Sequence, residues 1–110
     1  MKRLVAAVAI ALTGSAASAA DRGAAPFVVT YRCDGGRWLA VGYPAYRDAR
    51  YSPVRLAWRG KTVELAPVRA GSGARYVNAL AQLEWWSKGA NGTLNDLRTG
   101  RALLSGCSEA

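Results

Sequence analysis

The chain's only two cysteines, Cys33 and Cys107, stand 74 positions apart in its 110 residues. Whether they pair depends on where the protein works. Lys2 and Arg3 precede an apolar run, Leu4 to Leu12, too short to span a bilayer, and Ala17-Ser18-Ala19 supplies a small-residue cleavage site. Residues 1–20 therefore read as an export signal, cut after Ala19 or Ala20. In the oxidising compartment beyond, an even cysteine count favours a disulfide over two buried thiols, and two cysteines allow one pairing. Any fold must then bring position 33 to position 107. Closing so long a loop contributes about 4 kcal/mol in the chain-entropy account, a large share for a small domain with a modest core. Residues 21–110 are expected to be that single domain. No cysteine follows the apolar run, so no lipid anchor is expected, and the expected location is periplasmic.

The pattern between the cysteines is one of short apolar runs and frequent turn signals, which argues for antiparallel β structure. Phe27, Val29, Tyr31 and Cys33 share one face of a first strand, and Asp34-Gly35-Gly36 turns the chain into Trp38 to Tyr43. Pro44 and Ser52-Pro53 flank a looser stretch that reads as an irregular edge strand. Val54, Leu56 and Trp58 alternate with Arg55, Ala57 and Arg59, Gly60-Lys61 makes a tight turn, and Val63 with Leu65 continues the inward pattern. Ala70-Gly71-Ser72-Gly73 is a glycine-rich loop, Asn91-Gly92 a hairpin signal, and Thr99-Gly100 separates the last two strands. The segment Ser72 to Lys88 reads either as one long strand or as a hairpin. A hairpin centred on Leu80 sets residue 77 opposite 83, 76 opposite 84 and 75 opposite 85. Val77, Leu83 and Trp85 then share an apolar face, and Ser72 and Lys88 leave the same rim. The fold expected from these patterns is all-β, a small antiparallel barrel or sandwich.

Composition narrows the function. The chain has no histidine, so histidine-based triads and histidine metal sites are excluded. Its carboxylates (Asp34, Asp48, Glu64, Glu84 and Asp96 among them) are scattered without a paired signature, so no catalytic residue and no cofactor or metal is assigned. Without Lys2 and Arg3, 13 basic residues face 7 acidic ones, a net charge of +6. Single arginines spread along the chain describe either a solvated surface or a cationic face for an anionic polymer of the cell envelope. Nucleic acid is not an expected partner, since no nucleic-acid-binding motif is present. The oligomeric state is left open.

Four segments carry a more specific signal: Tyr31-Arg32-Cys33-Asp34-Gly35, Ser72-Gly73-Ala74-Arg75-Tyr76, Trp86-Ser87-Lys88-Gly89, and the terminal Cys107. In order and spacing they resemble the MliC/PliC family, bacterial inhibitors of c-type lysozyme, across essentially the whole exported chain. The resemblance implies a small antiparallel β-barrel closed by a Cys33–Cys107 disulfide. It implies c-type lysozyme or a related muramidase as partner, with two loops pushed into the enzyme's cleft. Ser72 and Lys88 correspond to the two loop residues, and Gly73, Arg75, Tyr76 and Gly89 complete the implied contact set. In this chain the interval between the two motifs is a couple of residues longer than is usual in the family. The added length falls at the Leu80 turn.

The residue types suit that role. A retaining glycosidase such as lysozyme works with two nearby carboxyl groups, one kept protonated by an apolar pocket. An ammonium beside them pairs with the ionised carboxylate and discourages protonation of the acid. A serine hydroxyl can donate to or accept from the other carboxyl group. Read alone, Lys88-Gly89 is an ordinary solvated turn and Ser72 an ordinary loop residue. Tyr76, Trp85 and Trp86 read alone as barrel-wall aromatics, and Arg75 as a brace for its loop. The combination is what lifts Ser72 and Lys88.

Overall fold

A computed structural model of the protein describes residues 25–110, and the expected export signal lies outside them. Eight strands run β1 (Phe27–Cys33), β2 (Arg37–Tyr43), β3 (Val54–Trp58), β4 (Lys61–Val68), β5 (Ala74–Asn78), β6 (Leu83–Lys88), β7 (Asn91–Asp96) and β8 (Ala102–Glu109). Each pairs antiparallel with its sequence neighbour, and β1 pairs with β8, so the sheet closes on itself. Closure removes the unpaired edges of an open sheet, and it decides for the barrel over the sandwich.

The alternation seen in the sequence is the inside–outside alternation of the barrel wall. Val29, Tyr31 and Cys33 of β1, Leu39 and Val41 of β2, Val54 and Leu56 of β3 and Leu65 of β4 are buried together. Tyr76, Leu83, Trp85, Leu94, Leu104 and Cys107 complete the core. Eight strands enclose just enough space for side chains to fill, and here Trp85 is the largest residue sealed inside. Its indole N–H donates to the Tyr43 hydroxyl at 2.9 Å, and the Tyr31 and Tyr43 hydroxyls lie 2.7 Å apart. The polar atoms that these rings carry inward thus satisfy one another. Cys33 and Cys107 are joined as a disulfide across 74 residues of sequence, where β1 meets β8. Beside it the Asp34 carboxylate packs onto Gly106, whose φ of 63° and missing Cβ leave the space it needs.

Four local expectations need correction. The stretch between Pro44 and Pro53 is not an edge strand but a loop built on a 3-10 turn, Tyr46–Asp48, pinned by N–H donation from Tyr51 and Ser52 to the Asp48 carbonyl. The β3–β4 turn is Arg59-Gly60, both at positive φ, and Lys61 already belongs to β4. The β6–β7 turn is not Asn91-Gly92 but Gly89-Ala90, where Gly89 at φ 60° gives the first central position of a two-residue hairpin its favoured residue. Gly92 serves the core instead: a Cβ there would sit 2.4 Å from the Trp85 ring.

The last correction is one of register. The 72–88 segment is a hairpin, but Val77 pairs with Glu84, Tyr76 with Trp85 and Arg75 with Trp86, one residue off the expected alignment. Its loop is the four residues Ala79–Gln82, closed by the Ala81 N–H on the Asn78 side-chain oxygen and by Gln82 at φ 59°. A one-residue slip exchanges the faces of a strand. Tyr76 therefore points into the barrel, and Val77 and Arg75 lie on the outer wall.

Candidate functional site

Connections of an up-and-down barrel alternate between its two rims. The turns at 34–36, 59–60, 79–82 and 97–101 share one rim, and the connections at 44–53, 69–73 and 89–90 share the other. Ser72 and Lys88 consequently leave from the same end, and both are exposed. Contact between their segments is close. A Cβ on Gly73 would lie 2.4 Å from the Ser87 carbonyl oxygen and 2.7 Å from Lys88 Cγ, and Gly73 holds φ at 69°. Both facts call for glycine. The Trp86 indole N–H donates to the Ser72 carbonyl at 2.8 Å, tying the glycine-rich loop to β6.

The observed register gathers the outer-wall side chains of this hairpin. Lys88 Nζ sits 4.6 Å from the centre of the Trp86 ring, and the Arg75 guanidinium 5.5 Å from it. Attraction of a cation to the ring face is worth about 0.5–1 kcal/mol at an exposed site, enough to bias the lysine toward one orientation. Arg75 is also held by Glu84, whose Oε2 accepts its Nε–H at 2.6 Å and pairs with its Nη2. Asn95 donates to the other Glu84 oxygen at 2.8 Å, so this buried carboxylate is met on both sides. Arg75 further reaches the Arg69 carbonyl at 3.3 Å, at the base of the Ser72 loop. Among the described residues Arg75–Glu84 is the one ion pair, which leaves the Lys88 ammonium without a carboxylate of its own.

Of the six residues expected at the contact, the structure brings Ser72, Gly73, Lys88 and Gly89 together at the rim. Arg75 stands just below them and braces the loop. Tyr76 does not join them: it is 7% exposed, with its ring edge-on to Tyr43 inside the barrel. Burial raises the Tyr76 phenol above its ordinary pKa, and burial with the Tyr43 hydrogen bond raises that of Tyr31 further. Trp86, read from the sequence only as a barrel-wall aromatic, stands with Ser72 and Lys88 at the rim. It lies two positions before Lys88, hence on the same face of β6, and a period-two reading of Trp86-Ser87-Lys88 carries that signal.

A filled barrel thus carries, at one rim, the Ser72 loop and the Lys88 ammonium on braced segments. Residues 31–102 match the family model described as membrane-bound lysozyme-inhibitor of c-type lysozyme. The chain is also 38% identical over 101 residues to the "Membrane-bound lysozyme inhibitor of C-type lysozyme" of Cupriavidus necator, covering 83% of this chain and 78% of that one. The chain belongs to this family, whose members are inhibitors and not enzymes.

Proposed function

We propose that this protein inhibits a c-type lysozyme from the cell envelope by inserting the Ser72 loop and the Lys88 turn into the enzyme's cleft. The single observation that supports this most is the packing of Gly73 against Ser87 and Lys88, which brings the Ser72 loop against the Lys88 turn on one rim. The Trp86–Ser72 bond braces the backbone of the serine loop, and the Trp86–Lys88 contact orients the ammonium, before any partner arrives. Loops ordered in advance lose less entropy on docking. In the cleft the ammonium pairs with the ionised carboxylate and opposes protonation of the acid, while the loops exclude substrate.

Titrating lysozyme turnover with the oxidised protein tests the reading. Lys88→Ala is expected to raise the inhibition constant roughly thirtyfold, as for a desolvated charge contact of about 2 kcal/mol. Ser72→Ala is expected to raise it less, and both variants should melt as the parent does. A parent protein that leaves lysozyme fully active would end the proposal.

A further inference from the structure

The third connection of the functional rim, residues 44–53, plays no part in that reading. Together with the β4–β5 loop it walls an open cleft of about 1170 Å³. Arg47 and Arg50 line it from one side, Arg69 and Arg75 from the other, and the rings of Tyr46 and Tyr51 border it. Arg75 is occupied by Glu84, but Arg47, Arg50 and Arg69 have no carboxylate within 4 Å among the described residues. Asp48 is the only acid in the 44–53 stretch. Both tyrosines are 79% exposed, far more than rings with a structural task in the core.

Unpaired guanidiniums select planar anions, since their fixed fork matches both oxygens of a carboxylate. Exposed phenol rings offer flat apolar faces against which the C–H face of a pyranose ring packs. An acidic peptide would satisfy the arginines and leave the rings uncovered. A sugar chain with carboxylates at intervals uses both, and an open trough admits an extended strand where an enclosed pocket would not. We propose that this cleft binds a carboxylate-bearing glycan strand, through Arg47, Arg50 and Arg69 with Tyr46 and Tyr51 as stacking platforms. Neither Ser72 nor Lys88 is required, so the cleft and the lysozyme contact stand or fall separately.

Calorimetric titration of the oxidised protein with hexagalacturonate, chitohexaose and hexaglutamate tests it. Hexagalacturonate is expected to bind at low salt and to weaken as salt screens the charges. Arg47→Ser/Arg50→Ser and Tyr46→Ala/Tyr51→Ala should each weaken it roughly tenfold while lysozyme inhibition and the melting temperature stay unchanged. These side chains sit on an exposed loop, so folding does not confound the comparison. The proposal is overturned if hexagalacturonate does not bind, or if chitohexaose or hexaglutamate binds as tightly. Variants that bind like the parent would overturn it as well.

Discussion

Glu84 shows how much one residue on the outer wall can demand. Its carboxylate is buried, and Arg75 and Asn95 between them occupy both oxygens. Removing one partner leaves a buried charge uncompensated, which costs more than the pair itself contributes. Arg75→Met should therefore destabilise the barrel by about 2 kcal/mol, and Arg75→Met/Glu84→Met should recover most of that in denaturant melts. Gly92 makes a second demand. Gly92→Ala drives a methyl into the Trp85 ring, and the expected loss is about 1–3 kcal/mol in the same melts. The buried tyrosines add a pH dependence. Below about pH 10, the ordinary phenol value, both folded and unfolded chains keep their protons. Above it the unfolded chain ionises first, because Tyr31 and Tyr76 hold theirs more tightly when folded. Stability should thus fall from about pH 10 upward, and Tyr31→Phe should blunt the fall. A melting temperature flat through that range would contradict the assignment.

At the scale of elements, the β5–β6 hairpin does most of the positioning. Its two ends have different duties: Ala79–Gln82 closes the hairpin at one rim, and Ser72 and Lys88 meet at the other. The closing loop, which carries Leu80, lies at the rim away from the proposed contact. Replacing Leu80, which is 98% exposed there, with Asp should leave lysozyme inhibition unchanged. Gly73→Ala is the opposite case. Its Cβ meets a backbone carbonyl that cannot swing aside, and its φ disfavours any side chain. The expected result is a weaker inhibitor whose barrel still folds, read by parallel turnover and melting measurements. The hairpin itself was legible, because apolar residues bracket Leu80 on both sides. Its register was not. Val77 and Tyr76 are both plausible inward residues, and only the four-residue loop and the seat for Trp85 choose Tyr76.

For the whole molecule, the disulfide and the charge set the terms. Cys33–Cys107 ties the first strand to the last at the seam of the barrel. Cys33→Ala/Cys107→Ala should lower stability by about 4 kcal/mol, while any protein still folded retains inhibition, because the rim loops are braced by Trp86 and Arg75 and not by the seam. Net charge acts at longer range. The chain carries a net charge of +8, or +6 without Lys2 and Arg3, and a lysozyme that is itself basic is repelled by it at a distance, so the association rate with such an enzyme should rise as salt screens both partners. Stopped-flow association at several ionic strengths would read this directly.

Residue order alone determined the antiparallel β class, the inward faces of β1, β3 and β4, the cysteine pairing and the segments that resemble the inhibitor family. These are local or arithmetic properties: alternation needs only the pleat, and two thiols have one partner each. Tertiary structure decided what depends on distant atoms. Barrel closure replaced the expected edge strand with an arginine-lined loop, and a single-residue shift turned Tyr76 inward and brought Arg75 beside Trp86. Gly92 became a seat for Trp85 and not a turn, because the space an indole needs is set by all eight strands at once.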